Sequence, residues 1–274
     1  MKRAAAGCAV LLLLTMGAAP SFNAQPAGEK CRCVAFRLDD IQDYYLRDVQ
    51  IEMMDTFERR DLDLTVGVIG NYFGQDQVMV SYIKERLKGE PRLEIANHGW
   101  NHERFVLLDS YGQSRLMGMT NDKLSQIFGF KPLVFIAPYN AINNNTFWAA
   151  RQNSILYVSA NMTVDPPPYS GPDLFRYHET ALTGDLSAGG TSWPGYPHTK
   201  TMDAIRKSVD RHGFAVVTMH PMEFSVRSGL NFEDRVDRQQ MAELELLLNA
   251  IDAEGYEVVT VGELSRRALQ AGLN

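Results

Sequence analysis

The sequence predicts an α/β fold in which parallel strands close, or nearly close, into a barrel within a single domain. Apolar runs rich in Val and Ile alternate with amphipathic helical stretches along almost the whole chain, and parallel strands require such helical crossovers. About seven strand–helix units can be counted, which suits a barrel better than an open sheet. An open doubly wound sheet is the alternative, but no GxGxxG or phosphate-binding loop follows the first strand run.

Residues 1–24 read as a signal peptide: Lys2 and Arg3, a short apolar run around Ala9–Met16, then small residues before a cleavage point between Ala19 and Ala24. A secreted or extracellular protein is therefore expected. Residues 31–272 form the expected catalytic domain, with no linker, repeat or low-complexity block to divide it. Two of the 27 basic residues and none of the 33 acidic ones lie in the leader. The remaining acidic surplus argues against nucleic acid or an anionic membrane as partner. No later apolar run is long enough to span a bilayer. Only Cys31 and Cys33 remain beyond the leader, too few for a disulfide framework, and their state is left open.

In order, the strands are expected at Cys33–Leu38, Leu64–Ile69, Arg92–Ala96, Leu133–Ala137, Ile155–Ser159, Phe214–His220 and in "YEVVTV" from Tyr256. The intervening helices are expected at Tyr44–Arg60, Gln77–Lys88, within Ser110–Phe128, from near Asn145, at Thr201–His212, around Asp237–Ala253 and from Gly262. The Pro- and Gly-rich stretch Asp165–Pro197 reads as irregular.

Functional residues of a parallel barrel sit just past the C-terminal ends of its strands. There the sequence places Asp39-Asp40, His98 and His102, Pro138-Tyr139-Asn140, and His220-Pro221. Each has a bland reading alone: an Asp pair can cap the next helix, two histidines can share an exposed face, and Pro138 can mark a turn. Their joint placement at equivalent strand ends points instead to one site. Two imidazoles and a carboxylate are a common Zn²⁺ set in hydrolytic centres. Were His98–His102 a helical turn, the i and i+4 rings would project the same way. A second carboxylate then serves as general base, and a histidine across the site protonates the leaving group.

"FRLDD", "HGWNH", "APYN" and "TMHP", in this order, resemble the signature segments of polysaccharide deacetylases, carbohydrate esterase family 4 (the NodB-homology domain). The resemblance covers roughly Val34–Val261. It implies a distorted (β/α)7 barrel, removal of N- or O-acetyl groups from an acetylated polysaccharide, and a divalent ion of the zinc class. Asp39 is then the implied general base, and Asp40, His98 and His102 the implied metal ligands. Tyr139 is the implied backbone donor to the oxyanion, and His220 the implied general acid. Glu223 in "MHPMEF" is familiar from members that act outside the cell.

Three positions depart from the pattern. Ile136 stands where the family usually has an Arg paired with the base; Arg37, on the same strand face as Asp39, is the substitute the sequence offers. Ile41 stands where a Gly usually follows the Asp pair. The family's Asp–Trp segment has only Asp165 and Trp193 as candidates. Pro138, Trp193 and Tyr196 are expected to line the substrate site, and His198 belongs to the same aromatic-rich loop. His212, before Gly213 at a helix end, reads as structural. A non-catalytic glycan-binding protein on the same barrel, a metal-dependent hydrolase of a non-sugar C–N bond, and a non-haem iron oxygenase are the alternatives. The second Asp beside the ligand set counts against the last.

Overall fold

The computed structural model describes residues 31–160, 175–177, 181–186 and 192–270. The leader, Asp165 and His178 lie outside them. The elements alternate as the sequence predicts: β1 (Cys33–Ile41), α1 (Arg47–Arg59), β2 (Leu64–Val68), α2 (Gln77–Arg86), β3 (Leu93–Asn97), α3 (Ser110–Phe128), β4 (Val134–Ile136), α4 (Asn144–Gln152) and β5 (Tyr157–Ser159). Then come β6 (Phe175–Tyr177), β7 (Ala181–Leu182), α5 (His198–His212), β8 (Phe214–Met219), β9 (Ser225–Ser228), β10 (Asn231–Val236), α6 (Arg238–Ala253), β11 (Glu257–Val259) and α7 (Val261–Gln270).

The main sheet runs β6-β5-β4-β3-β2-β1-β8-β7, with β11 paired to the start of β1, and every strand pair in it is parallel. β9 and β10 form a separate antiparallel hairpin that the sequence reading did not anticipate. Parts of the stretch read as irregular are also strands, since β6 and β7 lie within it.

Alternation along the strands builds separate cores, two of which frame the barrel and a third of which packs β4 and β5 against α3 and α4. Val34, Phe36 and Leu38 of β1, Val66 and Val68 of β2, and Ala215, Val217 and Met219 of β8 pack outward against helices α1, α2, α5 and α6. Cys33 and Ala35, Ala96, Val134 and Ile136, and Phe214 and Val216 pack inward on one another. Side chains of β1 and β8 could not share a cluster with those of β4 across a flat sheet; the sheet is curled. Period-two alternation thus sends the next inward positions, Arg37, Asp39, His98 and Thr218, towards the C-terminal rim. The distorted half-barrel is what forms, not the doubly wound sheet.

Helix α7 plugs the other end, with Val261, Leu264 and Ala268 inside the inward cluster. Its first amides are met by the barrel itself. Thr65 Oγ1 accepts the Val261 N–H at 2.9 Å, and Glu94 Oε2 accepts both the Gly262 N–H at 3.0 Å and the Thr65 hydroxyl at 2.8 Å. These contacts satisfy amides that a helix start leaves without intrahelical partners. Cys31 and Cys33 are joined as a disulfide at the start of β1. Among the described residues no helix is long and apolar enough to cross a membrane.

Candidate active site

Asp39 and Asp40 do not cap the next helix: α1 begins after Leu46, with no side-chain cap. Strict alternation would send these neighbours to opposite faces. Asp40 instead adopts a left-handed φ of 64° where the β1–β2 register shifts between Leu38 and Ile41. A bulge of this kind re-aims a side chain, and both carboxylates reach the rim.

His98 follows β3 directly. Its Nδ1 lies 2.9 Å from the carbonyl oxygen of Ile136, so Nδ1–H donates there and Nε2 is left as the basic nitrogen. The segment to His102 is a bend, not a helical turn. Gly99 at φ 76° and His102 at φ 60° reverse the chain and bring the two rings to 4.9 Å between centroids. Nε2 of each histidine lies 3.3 Å from Asp40 Oδ1. All three donor atoms fall within 4.8 Å of one another. Two of them, His98 Nε2 and Asp40 Oδ1, are buried without a hydrogen-bond partner. Buried polar atoms are rarely left so, and two imidazole nitrogens with a carboxylate oxygen are the donor set a zinc-class ion takes. The residues fit the group.

Charge follows the same arrangement. Burial alone would raise Asp40, but the close approach of His98, then the nearby His220 and His102, hold it well below the usual carboxylate range. Burial, and then the neighbouring His98, push His102 down to about 4, leaving the neutral imidazole that can ligate.

The base side is built around Arg37, which is 1% exposed. Its Nη2 lies 3.1 Å from Asp39 Oδ2 and also donates to Asn140 Oδ1, while Nη1 donates to Ser159 Oγ at 2.8 Å. Arg37 therefore stands in for the cation that Ile136 cannot supply. Across from it, His220 Nε2 is 4.0 Å from Asp39 Oδ2 and its Nδ1 is 3.1 Å from Glu223 Oε1. Glu223 accepts in turn from the hydroxyl of Thr183. Burial would depress His220, but the hydrogen bond and charge of Glu223, with Asp40 and Asp39, raise it overall.

Most of the expected site residues meet here. Tyr139, left-handed at φ 58° in the turn Pro138–Asn140, sets its ring 4.6 Å from His102. Pro138 packs over Gly99, where an added Cβ would come within 3.2 Å of its Cγ. Trp193 packs against His220 at a tilt of 42°, with ring centroids 4.3 Å apart, so the Asp–Trp candidate is at the site in its Trp. Tyr196 is placed differently: its ring lies under Lys200 Nζ at 3.1 Å, and its backbone bonds Thr183 and Gln240. His198 starts α5 and ties it to Glu243 of α6 at 2.7 Å. His212 ends α5 before Gly213, as expected of a structural residue. Ser159 and Thr183 were missed. Ser159 ends β5, so the strand-end rule applied to that strand would have found it; Thr183 lies in the stretch read as irregular.

Two carboxylates and three imidazoles gathered at the strand ends of a parallel half-barrel are groups of the kind that hydrolytic chemistry uses. Residues 27–158, which carry Asp39, Asp40, His98, His102 and Tyr139, match the family model described as polysaccharide deacetylase. Over that segment the chain carries a polysaccharide deacetylase family domain. Solved structures share its fold. A family 4 acetyl xylan esterase from Clostridium thermocellum, solved with a cobalt ion, aligns with a TM-score of 0.56 at 17% identity over 85% of this chain and 89% of that one. A family 4 carbohydrate esterase from Streptomyces lividans, solved with acetate, gives 0.52 at 15% over 82% and 90%. A CE4 family pseudoenzyme from Bacillus anthracis gives 0.56 at 13% over 87% and 66%. No curated protein sequence matches the chain.

Proposed function

We propose that the protein is a secreted, metal-dependent deacetylase that hydrolyses acetyl groups, N-acetyl above all, on a polysaccharide such as chitin, a cell-wall polymer or an exopolysaccharide. The observation that carries this reading is the convergence of Asp40, His98 and His102 on one point, beside the Asp39–His220 pair. The leader-like residues 1–24 support export, and the family supports an acetylated glycan.

Asp39, held by Arg37, takes a proton from water as it adds to the acetyl carbonyl. The developing oxyanion is met by the backbone N–H of Tyr139. His220, on the far side of Asp39 and kept protonated by Glu223, gives its proton to the departing amine as the C–N bond breaks, so acetate and a free amino sugar leave. Bound by Asp40, His98 and His102, a zinc-class ion would add Lewis acidity towards both carbonyl and water. Trp193, half-buried beside His220, would offer a sugar ring an aromatic face, whereas Pro138 is buried against Gly99.

A non-catalytic glycan-binding role is the competing reading, motivated by Ile136 and by the pseudoenzyme among the structural neighbours. Arg37 weakens it by restoring the cation beside the base. Acetate release from a panel of N-acetyl chito-oligomers, peptidoglycan and acetyl xylan decides between them. Release from at least one supports the deacetylase; glycan binding with no acetate from any supports the competitor.

A further inference from the structure

We propose that Arg37 is the positioning residue of this site, a latch whose single guanidinium fixes both Asp39 and the Pro138–Asn140 turn that carries Tyr139. Its kinetic consequences rest on the deacetylase reading; its structural ones do not.

The guanidinium is enclosed, and its two terminal nitrogens reach three segments far apart in sequence: Asp39 of its own strand, Ser159 at the end of β5, and Asn140 after β4. Its planar fork presents donors in fixed directions, so these three acceptors are placed relative to one another. The turn needs such a hold. Tyr139 and Asn140 are consecutive non-glycine residues in the left-handed region, at φ 58° and 55°. Such backbone persists only where its surroundings over-determine it. Among the described residues Asn140 bonds through its backbone only back to Ala137, within the same turn; its side chain is the part gripped from outside, by Arg37. β4 offers no substitute, because Ile136 fills the inner position with a fully buried aliphatic chain.

One guanidinium therefore sets the distance between the carboxylate that takes the proton and the amide that meets the oxyanion. Releasing it should loosen the turn and misplace both groups, while the ligand atoms of Asp40, His98 and His102, which Arg37 does not touch, keep their arrangement.

Two readouts test this on the full mature chain. By hydrogen exchange, the amides of Asn140 and Ala141 should exchange about 10-fold faster in Arg37→Met while those of β2 stay unchanged. In kinetics on the best acetylated substrate, Arg37→Met should lower kcat by about 100-fold, the cost of a misplaced reacting group, with KM near wild type. Asn140→Gly suits the left-handed backbone but lacks the acceptor, and should act in the same direction. Added to Arg37→Met it should cost nothing further, since the latch is already open. Multiplying effects, or unchanged exchange in Arg37→Met, would overturn the latch. Should Arg37→Met not fold, Asn140→Asp should keep the turn protected and Asn140→Gly lose it; equal exchange in the two contradicts the proposal. Absence of acetate release by the wild type refutes the deacetylase reading alone and leaves the exchange experiment to decide the latch.

Discussion

The Nδ1 of His98 lies 2.9 Å from the main-chain oxygen of Ile136, and this contact determines which nitrogen faces Asp40. The bond comes from the backbone, so the missing arginine at position 136 does not disturb it. A second hydrogen bond of this kind fixes tautomer and ring orientation in metal-binding histidines, and its loss alone costs about 10–100-fold in affinity. His98→Ala, which removes the ligand itself, should weaken Zn²⁺ binding by more than that range. Competition against a chromogenic chelator measures it; unchanged affinity would remove His98 from the site.

Asp39 is 2% exposed, pairs with Arg37 and approaches His220, and is not among the three atoms that converge on the metal position. Asp39→Asn should therefore lower kcat by about 10²–10⁴-fold, the span of general acid–base catalysis, while Zn²⁺ affinity stays close to wild type. A fall in both together would make Asp39 a ligand rather than the base.

Glu223 raises the His220 imidazole through its hydrogen bond and its charge. A general acid must carry its proton, and the protonated fraction falls as pH rises through the pKa. A raised value thus extends activity to higher pH. Glu223→Gln removes the charge and should shift the alkaline limb of the kcat/KM profile to lower pH. A limb that stays in place would mean that another group delivers the proton.

Leu264 of α7 is fully buried within the inward cluster that closes the barrel. Leu264→Ala should cost about 2–5 kcal/mol, the range for cavities left by large-to-small core changes. Urea unfolding followed by circular dichroism measures it. A loss below about 0.5 kcal/mol, the scale of a surface change, would show that α7 is not a structural plug.

Much of this was legible in the sequence. Alternation located nearly every strand and helix of the barrel, and the strand-end rule named Asp39, Asp40, His98, His102, Tyr139 and His220 together: period-two geometry carries Asp39 and His98 inward to one rim, while Asp40, His102 and Tyr139 reach it through left-handed backbone. The β9–β10 hairpin was not legible, since "SVRSGLNFEDRV" is mostly polar and offers only a few apolar residues, of which Phe232 and Val236 pack partly buried against the outer core. A helical turn at His98–His102 was only one way to bring the rings together; the bend that does so depends on left-handed backbone at Gly99 and at His102 itself, and a histidine carries no sequence signal for that. Arg37 could be suggested from its strand face, but its contacts with Ser159 and Asn140 join segments whose separation only the fold closes. Tyr196, grouped with Trp193 by sequence proximity, turns towards Lys200 and Gln240 instead, a divergence that a loop's composition does not encode.

The central claim is tested most directly by acetate release from an acetylated glycan by the mature protein, first stripped with chelator and then reloaded with Zn²⁺. The account predicts that release disappears on stripping and returns on reloading, and that it does not return in His98→Ala. Release that continues undiminished in the stripped protein would contradict it.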